Sequence, residues 1–134
     1  MISTKISKTT LLNIVLLTAF TIYYLTQRNA EFLVYAVTLS AVIYLIEKTD
    51  HAFNYGLPAK IGFSTWLFLH LGGGAFHING QRWYDTILID IVGEPYNILR
   101  YDQALHTFCY FVITLFIYAV VRHISKEKAN RIVI

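Results

Sequence analysis

Four stretches of this chain stay apolar for close to the roughly 20 residues that a helix needs to cross hydrocarbon, and they dominate what it can fold into. They fall at about 9–26, 30–47, 59–76 and 102–121. A backbone in lipid must satisfy its own N–H and C=O groups, which leaves helices and closed barrels, and runs of this length without strict alternation read as helices. Composition agrees: 56% of the 134 residues are apolar, 14% are charged and the mean hydropathy is +0.51. We therefore expect an all-α membrane protein, a single transmembrane domain over 1–134 formed by a bundle of about four helices. That leaves almost no chain for a separate soluble domain.

The first span follows Lys5 and Lys8 but ends at Gln27-Arg28-Asn29-Ala30 without a small-x-small cleavage pattern, so it is read as retained. The turn after it is so short that the first two spans form an antiparallel hairpin. The second span is short, with Glu31 and Glu47 marking its two ends. Residues 48–58 are polar and carry Gly56 and Pro58, which predicts a loop with Glu47, Asp50 and His51 at a solvated helix end. The third span is the least apolar. It holds His70 and the run Gly72-Gly73-Gly74, which either ends the helix or lets a neighbour approach closely. After the fourth span, Arg122, His123, Lys126, Lys128 and Arg131 form a basic tail.

The sizeable connection, 77–101, carries Trp83, Tyr84, Ile87, Leu88, Ile91 and Val92 at spacings that predict an amphipathic interfacial helix over 83–92, ended by Gly93 and Pro95. A strand through Ile87, Ile89 and Ile91 fits the pattern too, but unpaired it would be unsatisfied in lipid. Trp83, Tyr84, Tyr96 and Tyr101 read as interfacial anchors.

Lysine and arginine counts orient the bundle. With the termini inside, Lys5, Lys8, Lys48, Lys60, Arg122, Lys126, Lys128 and Arg131 are cytoplasmic, eight against Arg28, Arg82 and Arg100 outside. The expectation is a bacterial-type inner (plasma) membrane with both termini cytoplasmic and 77–101 facing outward. The net charge of +3 comes from scattered or terminal residues with no soluble module to carry them, which points to membrane lipids as partners and away from nucleic acid. A homo-oligomer or a membrane partner protein is a further expectation. Cys109, alone in an apolar run, reads as a small core hydrophobe.

An ionisable group at membrane depth costs several kcal/mol unless it is paired or wet, so each is a functional candidate. His70 lies about 9 Å and His106 about 6 Å below the outer ends of their spans, counted at 1.5 Å per residue. Asp102 precedes His106 by one helical turn, so carboxylate and imidazole share a face and can pair or hold a cation together. His77 would share the face of His70 if that helix ran past the glycines. Three readings stay open: a structural Asp102/His106 pair, a ligand or proton site of His70, Asp102, His106 and His77, and a divalent metal held by His70, Asp102 and His106.

The stretch His70-Leu-Gly-Gly-Gly, then Trp83, then Tyr101-Asp102-Gln-Ala-Leu-His106 resembles the pattern of YjdF-like bacterial inner-membrane proteins. More loosely, Asp102-Gln-Ala-Leu-His106-Thr-Phe-Cys-Tyr110 is similar to the Asp-Lys-x-x-His-Phe-x-x-Tyr element of VanZ-like membrane proteins, with Gln103 for the Lys and Thr107 for the Phe. VanZ-like proteins are linked to glycopeptide-antibiotic tolerance. The first resemblance covers 47–111 and implies that His70, Asp102 and His106 belong to one site, with no established activity attached. The chain is shorter than YjdF-like proteins, which implies that a helix is missing or supplied by a partner.

Three functions fit: an outward-facing polar pocket that binds a small ligand or lipid headgroup or relays protons, a metal-dependent intramembrane enzyme acting on a lipid, or a structural or accessory subunit. Whether any reaction is catalysed is open on sequence grounds.

Overall fold

The computed structural model describes residues 6–96 and 99–132, the last two by backbone alone. Lys5, counted above among the cytoplasmic charges, lies outside the described residues. Four helices form the bundle: α1 (Lys8–Thr26), α2 (Ala30–Phe53), α3 (Leu57–Ala75) and α4 (Tyr101–Ile132). Three helices among the described residues are long and apolar enough to cross a membrane: Lys8–Thr26, Ala30–Phe53 and Tyr101–Asn130. α3 returns the chain from the far end of α2 to the start of α4, packed between α1 and α4.

Local signals set the helix ends. Ser7 caps α1 by accepting from the Thr10 amide, and Asn29 caps α2 by accepting from the Phe32 amide. α3 begins behind Gly56 with Pro58 in its first turn, where a missing N–H costs nothing. At α4, Gln103 reaches back so that its Oε1 accepts from the Leu99 and Arg100 amides, 2.9 and 3.0 Å away.

α2 does not stop at Glu47 as the sequence suggested; it continues to Phe53 and ends at Asn54 in the left-handed region, φ 50°. Its last turns are held by tertiary contacts. Asp50 accepts from the Tyr55 amide at 3.0 Å and pairs with Lys60 at 2.7 Å. Glu47 is likewise no solvated end. Its carboxylate accepts from the Ser7 amide, the Ser7 hydroxyl and the Thr10 hydroxyl at 3.0, 3.0 and 2.5 Å, fastening α2 to the start of α1. His51 alone of that group is exposed without such a contact. α4 also outruns its expected end at 121, so the basic tail is helical.

α1 packs against α2 and α3, and α3 against α4, whereas α2 and α4 touch only lightly. The core lies where the first three meet: Leu17, Tyr24, Phe32, Leu39, Ile43, Phe63, Leu67 and Leu71, with Val112 from α4. Tyr24 and Phe32 stack at 4.3 Å between centroids.

The triple glycine is a packing device inside α3, which runs on to Ala75. Rings approach it from three elements. A Cβ on Gly74 would lie 2.1 Å from Phe32, and one on Gly73 would lie 3.0 Å from Tyr84 and 3.1 Å from Tyr101. The same tyrosines are more than interfacial anchors. Tyr101 donates its hydroxyl to the Leu69 carbonyl at 2.9 Å, Tyr84 to the His70 carbonyl at 2.8 Å, and Tyr24 to the Leu71 carbonyl.

The helix expected over 83–92 is absent. Asn79-Gly80, at φ 52° and 82°, turns a short antiparallel hairpin of β1 (His77–Ile78) and β2 (Gln81–Arg82). One 3₁₀ turn, Trp83–Asp85, follows. The chain beyond is pinned by an isolated bridge between Ile87 and Arg100, with the Leu88 amide donating to Leu99 and the Tyr101 amide to Thr86. Pairing with the returning segment at 99–101 satisfies backbone groups that a lone strand would leave open, and so this conformation displaces the helix.

Candidate functional site

The hairpin folds the connection back over the C-terminal end of α3 and the start of α4, and this delivers charged side chains that no single span carries. A cavity of about 250 Å³ results, lined by Glu31, Phe32 and Tyr35 of α2, His70 of α3, Arg82, Tyr84 and Asp85 of the connection, and Arg100, Asp102 and His106 around the start of α4. His70, Asp102 and His106 thus border one cavity. His77 does not. α3 ends before it, and its exposed ring lies 3.2 Å from the Ala75 carbonyl instead.

Hydrogen bonding assigns the two imidazole tautomers. The Nδ1 of His106 is 2.6 Å from the backbone carbonyl of Asp102, which can only accept, so Nδ1 carries the proton. At His70, Tyr84 gives its one hydroxyl proton to the carbonyl, so Nδ1–H of the ring donates to the phenol oxygen at 2.6 Å. In the neutral rings both Nε2 atoms are then acceptors, and neither has a hydrogen-bonding partner among the described residues. Burial pushes the Tyr84 hydroxyl well above the usual tyrosine range, with Tyr101 beside it adding to the shift, so Tyr84 stays a donor. Aromatic rings fix the His70 plane: Trp66 stacks on it at 5.0 Å and Tyr35 meets it edge-on at 5.0 Å.

The expected Asp102/His106 pair does not form through the carboxylate. That group faces Arg100 as an ion pair, with Oδ1 3.5 Å from Nε and poorly aimed for a hydrogen bond; among the described residues neither buried atom has a hydrogen-bonding partner. Asp85 meets Arg82 at 2.9 Å and Arg100 at 3.4 Å. Glu31 faces the cavity with no ion pair among the described residues. Two guanidinium groups therefore stand against three carboxylates.

Among the described residues no group of three or more His, Cys, Asp or Glu side chains is placed to hold a metal. The set can instead present donors and acceptors of both charges to a small guest.

Sequence reasoning passed over Glu31, Arg82, Tyr84, Asp85 and Arg100 as site residues. The signal for three of them was Asn79-Gly80, the strongest short hairpin mark, which turns the chain back toward α3.

Fold and cavity define a small polytopic membrane protein of helices with a charged pocket at one end. The family described as predicted membrane protein (DUF2238) matches residues 8–134, and the chain belongs to it. No curated protein and no solved structure matches the chain.

Proposed function

We propose that the protein binds a small ligand carrying both charges, such as a zwitterionic lipid headgroup, in this pocket, which faces outward from a bacterial-type inner membrane with both termini cytoplasmic. One observation carries the reading: the charged network around the cavity is not closed on itself. Buried polar groups in folded proteins nearly all find partners, yet Asp102 Oδ1 and Arg100 Nε, an ion pair at 3.5 Å, have no partner in hydrogen-bonding geometry among the described residues. A phosphate between the guanidinium groups and an ammonium near Glu31 and Asp102 would supply what is missing. The YjdF-like resemblance, which groups His70, Asp102 and His106, supports the same site, and the charge asymmetry of the loops supports the orientation.

The test uses sn-glycero-3-phosphoethanolamine, the headgroup without chains, on the detergent-solubilised protein. It should raise the Tm in a saturable manner where glycerol 3-phosphate does not, and Arg100→Gln and Glu31→Gln should each remove the shift. No shift with the wild-type protein refutes the reading.

A further inference from the structure

Light contact between α2 and α4 leaves a second cavity of about 500 Å³, a groove between them whose floor is Phe63, Trp66 and His70 of α3. Val42 and Ile46 line one wall, Val112 and Ile113 the other. Its size falls within the roughly 300–1,000 Å³ of ligand clefts. It runs from Tyr35 to Thr49 along α2, about 21 Å at 1.5 Å per residue, most of the way down a hydrocarbon layer of roughly 30 Å.

His70 and Tyr35 line this groove and the charged cavity alike, so the two spaces adjoin at those rings. A guest that fills both must be polar at one end and a slender apolar chain along the other. A helix of a second copy laid on the groove would cover its apolar half alone, whereas a lipid has a part for each space. We propose that cavity and groove are the two halves of one site for a zwitterionic phospholipid: the phosphate lies between Arg82 and Arg100, the ammonium near Glu31 and Asp102, and one acyl chain in the groove between α2 and α4. This rests on the headgroup reading above and adds the chain to it. The three carboxylates against two guanidinium groups favour a lipid with an ammonium over one whose net charge is negative.

Trp66 reports on the groove directly, because the chain has only one other tryptophan, Trp83 in the outer connection. The full-length protein carrying Trp83→Phe is reconstituted in phosphatidylglycerol vesicles. These contain a small fraction of either phosphatidylethanolamine or phosphatidylglycerol with brominated acyl chains, which quench indole fluorescence on contact. Occupation of the site gives saturable quenching of Trp66 with a preference of about tenfold for phosphatidylethanolamine, equivalent to about 1.4 kcal/mol. Val42→Phe and Ile113→Phe, which narrow the groove, should reduce quenching to the level proportional to lipid content. Arg100→Gln, which leaves the groove intact, should abolish the preference while retaining proportional quenching. Equal quenching by both lipids, unchanged by the groove variants, overturns the proposal. So does a loss of oligomeric mass in those variants, which would give the groove to a second copy. If the chain-free headgroup still raises the Tm in either case, the pocket reading survives and only the groove assignment fails.

Discussion

Gly74 shows how much one missing methyl group decides. Its Cβ would enter the Phe32 ring, a residue 3% exposed that is itself stacked on Tyr24 and cannot swing away. Alanine in a helix gains up to about 1 kcal/mol over glycine. Overpacking costs roughly 1–3 kcal/mol, and here the collision is with a clamped ring, so Gly74→Ala should lower stability in detergent, measured as a fall in Tm. An unchanged or higher Tm would mean that Phe32 is free to move. Tyr101→Phe removes one hydroxyl from the Leu69 carbonyl and should cost about 0.5–1.5 kcal/mol on the same assay. Asp102→Asn separates binding from folding: its partner Arg100 is 39% exposed, so stability should change by less than about 1 kcal/mol, while the Tm shift with glycerophosphoethanolamine disappears. Retention of that shift would remove Asp102 from the site. His70, Asp102 and His106 were legible because ionisable groups stand out in apolar spans. Arg82, Asp85 and Arg100 were not, because polar residues in a polar loop carry no mark of where the loop will fold. Even Asp102 misled: its carboxylate turns to Arg100, and His106 takes the backbone carbonyl instead.

α1, α2 and α4 follow from apolar run length and α3 from a weaker run behind Gly56 and Pro58, but the ends of all four depend on partners that periodicity does not contain. α2 outlasts its apolar run because Glu47 and Asp50 each find donors on other elements. Glu47→Ala strips three bonds at once and leaves the Ser7 amide without its acceptor; we expect a loss of about 1–3 kcal/mol, read from thermal unfolding with the N-terminal half of α1 loosened in limited proteolysis. A variant as stable and as resistant as wild type would show that the contact holds nothing. The far end of α4 behaves otherwise. Lys126 and Lys128 are exposed on the polar continuation of that helix, so replacing both with Gln should leave the Tm within about a degree or two while weakening retention on vesicles containing anionic lipid. The connection 77–101 was the least legible element, since its fold depends on pairing between its middle, Thr86 to Leu88, and its last residues, Leu99 to Tyr101.

Ser7 is tied to Glu47, and His123 meets Phe53 edge-on at 5.4 Å, so α1 starts and α4 leaves at the same end of the bundle. If that end is cytoplasmic, as proposed, a reporter fused after Ile134 should read as cytoplasmic and a tag near Glu94 should be labelled from outside intact cells; the opposite labelling would invert the molecule. Of the four helices, the one at the centre is the one that lacks the apolarity of a free-standing span. α3 packs its glycines and tyrosine-bonded carbonyls against α1, α2 and the connection 77–101, and α4 covers its remaining side. On the proposed topology α3 enters the insertion machinery less apolar than the other three helices, when only the α1–α2 hairpin precedes it. Moved into a host protein, α3 should pass through the translocon into the far compartment; preceded by α1 and α2, it should stop.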